Sequence, residues 1–432
     1  MFRTAVKKLI PHAVFRKVEP LGHLAEAILA NIQYGFPARD MKIIGVTGTN
    51  GKTTTSFMIQ KMLSQAGIKT GLMTTVAYGI DNAITPQIAH MTTASAGLLQ
   101  KRLAEFKKQG VQWVVLETTS HALAQYRTWG IPYEIAVMTN VTHEHLDYHG
   151  TFKGYLEAKR RLFKIAAKNG KKLGVVNNDD ENAELFIKTM PNSVSYGIKS
   201  GNLIAKDVLL ESDGCRYTAA INSNEYTIHC HIPGEFNVYN SLAAVAVGRS
   251  LGLTRQQIEL GIDALTGVEG RMTVIDEGQP FKVIIDFAHT PDSFERLLSD
   301  LRAATKGKLI AVFGSAGRRD EAKRAIQGEI AGRHADEIVL TEEDDRDIDG
   351  EEILEQIAGG AITAGKVKDK DMFLVHNRSE AIEFSFTRAS SPDDTVILLG
   401  KGHEKSIEGL DGERPWNEAD EARKALHNLI KR

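Results

Sequence analysis

The sequence predicts an α/β fold with mostly parallel sheets, because short apolar runs alternate with helical stretches along most of the chain. The first run, KIIGVTG at 42–48, leads through a glycine-bearing loop into an amphipathic helix expected over 53–66. Further buried strands are expected at 111–117, 133–140 and 172–178. This alternation is typical of a parallel sheet covered by helices on both faces.

Residues 203–231 depart from this pattern, because polar and apolar residues alternate there. Asp213-Gly214 and Ser223-Asn224 are turn signals within the stretch, which predicts a small antiparallel insertion. A second series of strands and helices then predicts a Rossmann-like C-terminal α/β domain. Its strands are expected at 283–289, 308–314, 337–341, 372–376 and 395–400.

The chain is therefore expected to have three parts, which suits a length of 432 residues. Residues 1–40 are a short N-terminal segment, residues 41–269 the central domain with its antiparallel insertion, and residues 270–432 the C-terminal domain. The second boundary is placed near Gly270-Arg271, after a helical run that ends at Leu265.

Composition excludes several classes of protein. Hydrophobic residues make up 42% and charged residues 25%, which is typical of a folded globular chain. The 53 basic and 55 acidic residues give a net charge of −2, so neither a nucleic-acid partner nor a membrane partner is expected. Cys215 and Cys230 are too few for a four-cysteine zinc site and are expected to be reduced thiols. Without a secretion signal or a run of about 20 apolar residues, we expect a cytoplasmic protein.

A phosphate-binding loop follows the first strand, which makes the central domain resemble a P-loop ATPase. Its glycines let backbone N–H groups approach phosphate, its lysine neutralises charge, and its hydroxyls can contact Mg²⁺. The standard spacing is not kept, because Val46 occupies the place of the first glycine. A strand before the loop and a helix after it favour ATP binding over an ordinary turn. The residues are Gly48, Thr49, Asn50, Gly51, Lys52, Thr53 and Thr54.

The loop segment TGTNGKTTT (47–55) resembles that of the Mur ligases, and four more segments match this family in order. They are ETTSHAL (117–123), TNVTHEHLDYHGT (139–151), GEFNVYN (234–240) and DFAHTPDS (286–293). VFGSAGRRDEAKR (312–324) and GKGHE (400–404) are most similar to the branch that adds the third residue of the peptidoglycan stem peptide. The resemblance covers roughly residues 41–425.

The resemblance implies an ATP-dependent, ADP-forming acid–amino-acid ligase. Such an enzyme makes an acyl phosphate on a UDP-N-acetylmuramoyl dipeptide and joins it to diaminopimelate or a lysine-type amino acid, in peptidoglycan synthesis. The alternative is a Mur-type ligase with another carboxylate acceptor, such as folate, polyglutamate or a lipid-linked muropeptide. The expected partners are small-molecule substrates, and the enzyme is expected to be a monomer.

The resemblance also implies two magnesium ions. Thr53 and Glu117 would hold one ion on the β and γ phosphates. His145 and Lys159 would hold the second, with the Lys159 amine converted to a carbamate, because an ammonium repels a cation. Lys52 and Arg271 would stabilise the charge of the moving phosphoryl group.

Further residues match nucleotide and substrate positions of the family. Asn237 and Asn240 match positions that contact adenine, and Asp286 would accept from the ribose. Arg271 and His289 complete the implied ATP set. On the acceptor side the matching residues are Thr92, Thr93, Thr119, Ser120, Gln125 and Arg127. On the amino-acid side they are Arg319, Asp344, Arg346, Gly400 and Glu404.

The selecting segment differs from that of the diaminopimelate-using branch, which has Asp-Asn-Pro-Arg where this chain has Glu343-Asp344-Asp345-Arg346. Arg346 could pair with a distal carboxylate and favour diaminopimelate. The added acidic residues favour the bare ammonium of lysine or ornithine. The sequence leaves both possibilities open.

Two other features permit different interpretations. Three histidines lie within residues 143–149, but the spacing does not fit the zinc protease pattern, in which the second histidine comes four places after the first. The phosphate loop begins at residue 48, whereas the family normally has a uridine-nucleotide domain of about a hundred residues ahead of it. We therefore expect residues 1–40 to be a reduced UDP-binding region, or the acceptor to lack a UDP group.

Overall fold

A computed structural model describes residues 12–87, 91–142, 144–211, 214–318 and 320–430, without the side chains of residues 12–19, Leu146 and Asp147. The chain forms two compact units. The first contains the described residues up to Leu209, together with 216–230 and 237–265. The second contains 266–430 and the short segments 210–215 and 231–236.

The first unit is built on an eleven-stranded sheet in the order β11-β10-β9-β8-β7-β6-β1-β5-β2-β3-β4. The strands are β1 Lys42–Thr47, β2 Thr70–Met73, β3 Ala77–Ile80, β4 Ala83–Pro86, β5 Trp113–Glu117, β6 Tyr133–Met138, β7 Leu173–Asn177, β8 Asn192–Gly197, β9 Leu203–Glu211, β10 Gly214–Ile221 and β11 Asn224–Cys230. The central strand β1 pairs in parallel with β5 and β6. Every residue of β5 is buried, as expected for a strand covered on both faces.

Helices cover this sheet and supply the residues that follow its strands. They are α1 His12–Tyr34, α2 Lys52–Gln65, α3 Ala96–Lys108, α4 Ser120–Ala124, α5 Leu146–His149, α6 Phe152–Ala166, α7 Ala183–Ile187, α8 Glu235–Ser250 and α9 Arg255–Asp263, with a 3₁₀ helix at Pro37–Asp40. Helix α1 packs through Ala27 and Ala30 against Ala96 and Trp129. No helix among the described residues has the length and apolar character needed to cross a bilayer.

The insertion is a set of strands at one end of the large sheet. Strands β10 and β11 are joined by the two-residue turn Asn222-Ser223, and so short a connection requires an antiparallel pair. Asn222 has φ +51°, a conformation that asparagine tolerates better than most residues. The turn lies one residue before the predicted Ser223-Asn224, and Asp213 lies outside the described residues. Cys215 and Cys230 are both buried, and both are present as thiols.

The second unit contains a six-stranded sheet in the order β12-β13-β17-β14-β15-β16 and a separate hairpin. The strands are β12 Thr273–Ile275, β13 Lys282–Asp286, β14 Leu309–Phe313, β15 Glu337–Leu340, β16 Met372–Leu374 and β17 Thr395–Leu399, and the hairpin is β18 Ser406–Gly409 with β19 Gly412–Pro415. The helices are α10 Pro291–Ala304, α11 Ala322–His334, α12 Gly350–Thr363, α13 Arg378–Arg388 and α14 Glu418–Ile430. Only the edge strand β12 runs antiparallel to its neighbour in the six-stranded sheet. The α/β prediction is confirmed.

A fully buried ion pair joins two helices of the second unit. Arg378 at the start of α13 and Glu418 at the start of α14 both have 0% side-chain exposure, and Arg378 Nη2 lies 2.6 Å from Glu418 Oε1. The guanidinium also donates to the carbonyl oxygens of Glu342 and Leu399, and Trp416 Nε1 donates to the carboxylate. The surrounding hydrogen bonds offset much of the cost of burying both charges.

Replacing Arg378 with methionine should therefore lower the free energy of unfolding by about 3–5 kcal/mol, because the Glu418 carboxylate would be left buried without its partner. Chemical denaturation monitored by circular dichroism measures this loss. Lys368→Met is the control, since Lys368 belongs to an exposed pair with Glu355 in the same unit and should leave the midpoint unchanged. Equal midpoints for the two variants would contradict the assigned role of the buried pair.

Candidate active site

The central strands of the first unit end side by side at one edge of the sheet. Val46 of β1 is opposite Glu117 of β5, and Thr47 is opposite Met138 of β6. The loops that leave these three strands are therefore neighbours. In open α/β sheets the carboxyl ends of the strands are where ligands bind.

The phosphate loop is held by the segment that follows β6. The N–H groups of Thr49 and Asn50 donate to the backbone oxygen and the side-chain oxygen of Asn140, both at 2.8 Å. A Cβ atom at Gly48 would lie 1.8 Å from Thr139 Oγ1, so only glycine allows this approach. At Gly51 the backbone has φ +81°, and a Cβ atom there would lie 2.3 Å from Asn240 Oδ1.

Helix α2 begins at Lys52, directly after Gly51, so its N-terminal N–H groups face the same loop. Lys52 is half-buried, and its Nζ donates to Thr49 O at 2.6 Å. Thr54 is buried in the first turn. This arrangement of loop, helix terminus and lysine is suited to a triphosphate.

Glu117 is 1% exposed, and hydroxyl and backbone groups hold its carboxylate in place. Thr53 Oγ1 donates to its Oε2 at 3.0 Å. Thr75, which the sequence did not indicate, donates its N–H to Oε2 and its hydroxyl to Oε1. The predicted pair of oxygen ligands, Thr53 and Glu117, is thus brought together, and both supply the oxygen atoms that Mg²⁺ prefers.

Lys159 is one of the most buried charged residues of the first unit, with 2% exposure. Its Nζ donates to Gly48 O and lies 4.4 Å from the centre of the Tyr155 ring. Burial, and next the charge of Lys52, lower the pKa of this amine well below its ordinary value. A surface role for this lysine is excluded.

His145 lies beside Tyr155, the aromatic residue that Lys159 contacts. Its Nε2 is 3.5 Å from Glu144 Oε2, and the same oxygen accepts from the Tyr155 hydroxyl at 3.3 Å. The Tyr155 hydroxyl is also 3.0 Å from Thr49 Oγ1. Tyr155, also missed by the sequence analysis, thus connects His145 and Lys159 to the phosphate loop. His143 lies outside the described residues.

Three of the predicted acceptor residues form one hydrogen-bonded group beside Glu117. Thr93 Oγ1 donates to Glu117 O and accepts from Thr119 N, both at 3.0 Å. Arg127 donates to Thr93 O, and burial lowers the pKa of its guanidinium to about 10. Ser120 Oγ is 3.0 Å from His149 Nε2. The described structure shows no side-chain hydrogen bond that joins Thr92 or Gln125 to this group.

Asn237 and Asn240 lie on α8 and are almost fully buried. Asn240 Nδ2 donates to Asn237 Oδ1 at 2.9 Å, and Asn240 Oδ1 accepts from the Thr55 hydroxyl at 3.2 Å. Asn240 therefore supports the phosphate loop through Gly51 and Thr55. Contact of either amide with adenine remains a prediction.

In the second unit, the three residues predicted to bind ATP lie close to Phe287. The Arg271 guanidinium lies 4.7 Å from the ring centre, and the His289 ring centre lies 4.7 Å away. Asp286 accepts from the N–H groups of Met272 and Ala288, both at 2.8 Å, and burial raises the pKa of its carboxyl. The role of Asp286 with ribose is not tested by these contacts.

The predicted amino-acid residues also come together in the second unit, around a lysine that the sequence analysis did not single out. Lys401 Nζ lies 2.9 Å from Asp344 Oδ1 and 2.6 Å from Glu404 Oε2. Arg346 Nη2 is 4.0 Å from Asp344 Oδ2. Gly400 precedes Lys401 and has φ +97°. Arg319 lies outside the described residues.

Comparison with protein families gives two adjacent matches. Residues 46–248 match the Mur ligase middle domain, and residues 270–402 match the Mur ligase, glutamate ligase domain. Together these matches contain every residue of the candidate site described above, except Glu404.

Curated relatives and a solved structure match nearly the whole chain. A UDP-N-acetylmuramyl-tripeptide synthetase of Roseiflexus sp. (strain RS-1) is 41% identical over 95% of this chain and 83% of its own length. A UDP-N-acetylmuramoyl-L-alanyl-D-glutamate–2,6-diaminopimelate ligase of Clostridium acetobutylicum is 36% identical over 93% of this chain and 81% of its own. A solved structure of a ligase with the same activity in its name has a TM-score of 0.64 at 32% identity, over 90% of this chain and 79% of the other.

Proposed function

The chain belongs to the Mur ligase family, and from this premise we propose how its residues carry out an ATP-dependent amide-forming reaction. The protein is an ADP-forming acid–amino-acid ligase of peptidoglycan synthesis, of the type that adds an amino acid to a UDP-N-acetylmuramoyl peptide. A ligase acting on folate or polyglutamate is not favoured, because curated relatives of 36% and 41% identity are a diaminopimelate ligase and a tripeptide synthetase.

One observation carries the proposed mechanism. The phosphate loop, the Thr53 and Glu117 oxygens and the buried Lys159 all lie at the carboxyl edge of one sheet, and Lys159 contacts the loop directly through Gly48 O. A triphosphate bound to this loop would have its reactive end beside these groups. We propose that the acceptor carboxylate is held there by the group that contains Thr93, Thr119 and Arg127.

The chemistry of the donor set fits magnesium. Thr53 and Glu117 offer neutral and anionic oxygens that would hold one magnesium ion beside a bound triphosphate. His145 and Lys159 are proposed for a second ion, and the Lys159 amine fits this role once it has combined with CO₂ and lost a proton to give an anionic carbamate. Bound magnesium would neutralise charge on the phosphates and on the acceptor carboxylate.

The reaction then proceeds in two steps. An acceptor carboxylate oxygen bonds to the γ phosphorus while the bond to the bridging oxygen of ADP breaks, and Lys52 offsets the charge that develops. The amine of the incoming amino acid next attacks the acyl carbon, phosphate leaves, and the nitrogen loses a proton to give the amide. The roles of Arg271, Asp286 and His289 with ATP are proposed from the family resemblance.

The domain limits are proposals of the same kind. We propose that residues 41–269 are the ATP-binding domain, that residues 270–432 bind the amino acid through Asp344, Arg346, Gly400 and Glu404, and that residues 1–40 contribute to UDP binding. The cytoplasmic location and the monomeric state also remain predictions.

The test is ADP formation with UDP-muramoyl dipeptide, ATP, Mg²⁺ and a panel of amino acids. Omitting Mg²⁺, the acceptor or the amino acid should each lower the rate by about two orders of magnitude, because the phosphoryl group is transferred only to a positioned carboxylate. A full rate of ATP hydrolysis without acceptor would contradict the ligase mechanism. Turnover with a folate or polyglutamate acceptor alone would support the alternative acceptor class.

A further inference from the structure

The charges around Arg346 indicate which kind of amino acid can bind at the amino-acid subsite, which we define as Asp344, Arg346, Gly400 and Glu404. Arg346 is the residue that could pair with the distal carboxylate of diaminopimelate. In the structure its Nε lies 2.9 Å from Glu408 Oε2, and its Nη1 donates to Gly317 O at 2.6 Å. Its guanidinium therefore already has an anionic partner.

Glu408 belongs to strand β18 of the hairpin, and its backbone fixes it beside the selecting segment. Arg346 N donates to Glu408 O at 2.9 Å, and Glu408 N donates to Asp344 Oδ1 at 3.0 Å. Arg346 has φ +58°, a conformation that a non-glycine residue adopts only when its surroundings hold it there. The Arg346–Glu408 pair is thus supported by the backbone as well as by the side chains.

The other cations near this segment also have acidic partners. Lys401 is 1% exposed and is shared by Asp344 and Glu404, so a single positive charge faces two carboxylates. Two more arginines nearby pair with their own acids, Arg414 with Glu342 and Arg318 with Asp347. Acidic groups therefore outnumber basic groups around the subsite, as far as the structure describes it.

Glu343 is a buried acid that forms no ion pair within 4 Å among the described residues, although the buried Arg378 guanidinium also acts on its charge. Glu343 is 7% exposed. A Cβ atom built on Gly400 would lie 2.8 Å from Glu343 Oε2. Its carboxylate thus faces Gly400, one of the residues proposed to bind the amino acid. A ligand ammonium placed beside this carboxylate would add a close, charge-assisted hydrogen bond that no described side chain supplies.

We infer that the amino-acid subsite selects a diamino acid whose distal end carries an ammonium and no carboxylate, with Glu343 and Glu408 as the selecting residues. This inference rests on the proposed ligase function and narrows its amino-acid substrate to the lysine and ornithine class. Glu343 receives the distal ammonium. Because Arg346 is already paired with Glu408, a second carboxylate on the substrate would meet acidic groups without a free arginine partner at position 346.

The test compares L-lysine, L-ornithine and meso-diaminopimelate in the ADP-formation assay. Lysine or ornithine should have a kcat/KM at least about tenfold above that of diaminopimelate, as expected when one unfavourable charge contact separates two substrates. A preference for diaminopimelate overturns this inference and leaves the ligase function standing. Failure of all three amino acids, with acceptor and ATP present, overturns the ligase function and this inference together.

Charge-removing variants identify the selecting residues. Glu408→Gln should free Arg346 and shift the ratio of kcat/KM values toward diaminopimelate by about tenfold, and Glu408→Gln combined with Arg346→Ala should lose that shift. Glu343→Gln should raise the KM for lysine more than that for diaminopimelate. Asp411→Asn removes the same charge from the exposed turn of this hairpin and should leave the ratio unchanged. An unchanged ratio in Glu408→Gln, or an equal shift in Asp411→Asn, contradicts the assignment.

Discussion

Replacing Lys52 with alanine should lower the rate of ADP formation by about three orders of magnitude or more, because its ammonium is the basic group of the phosphate loop and offsets charge that develops during phosphoryl transfer. Lys52 Nζ is held 2.6 Å from Thr49 O, so the charge is already positioned before the nucleotide binds. A preorganised charge of this kind lowers the energy of the transition state without reorganising during the reaction.

The fold should survive this change. Lys52 is half-buried at the first turn of α2, and within the described part of the chain its side chain donates one hydrogen bond, to a loop carbonyl. The matched control is Lys61→Ala on the same helix, where the ammonium contacts Asn82 Oδ1 at the surface. We expect both variants to have the thermal midpoint of the parent protein, and only Lys52→Ala to lose turnover. Unchanged turnover in Lys52→Ala would contradict the assignment of residues 48–54 as the phosphate loop.

The sequence predicts the central strands of both sheets because their residues form uninterrupted apolar runs. It misses the short strands β2, β3, β4, β8 and β12, whose three to six residues are too few to show a hydrophobic pattern. The predicted strands at 133–140 and 283–289 end earlier in the structure, at Met138 and Asp286. The last predicted residues leave the sheet to bond with the phosphate loop and with neighbouring backbone, as Asn140 does with Thr49 and Asn50. Hydrophobic pattern alone cannot show where a strand ends and a binding loop begins.

The site residues that the sequence analysis missed act on other residues of the site. Thr75 follows the four-residue strand β2 and has no motif of its own, yet it holds Glu117. Tyr155 lies one helical turn before Lys159, a spacing that places both on one face of α6. Lys401 lies within GKGHE, and that motif was the available signal. Glu408 is four residues beyond this motif, and only the hairpin brings it to Arg346.

The second large effect is expected at Lys159. Lys159→Ala should lower ADP formation by about three orders of magnitude, because this removes an oxygen ligand of the proposed second magnesium ion. A carbamate forms from a neutral amine, and the burial that lowers the pKa of Lys159 favours this form. Burial therefore favours the neutral amine that combines with CO₂, and the proposed magnesium ion would stabilise the anionic carbamate that results.

Rescue separates this role from a structural one. Acetate or formate can place a carboxylate oxygen in the space that the Lys159 side chain leaves, so added short-chain carboxylates should restore part of the lost activity. Lys164→Ala is the control on the same helix, because Lys164 forms an exposed pair with Glu157 and should keep full activity with no response to acetate. Rescue also shows that the alanine variant is folded, since a carboxylate cannot restore a misfolded site.

Removing bicarbonate and CO₂ provides the second readout. The parent enzyme should lose activity as the carbamate dissociates and recover it when bicarbonate returns, whereas Lys159→Ala should respond to neither treatment. Mass spectrometry of the intact protein under conditions that retain CO₂ should show an added carboxyl group on the parent and none on the variant.

Two results would contradict the carbamate assignment. One is a fully active Lys159→Ala variant, and the other is an inactive, folded variant that no carboxylate restores. In the second case the contact between Lys159 Nζ and Gly48 O would be the reason that this lysine is required, because that contact holds the phosphate loop directly.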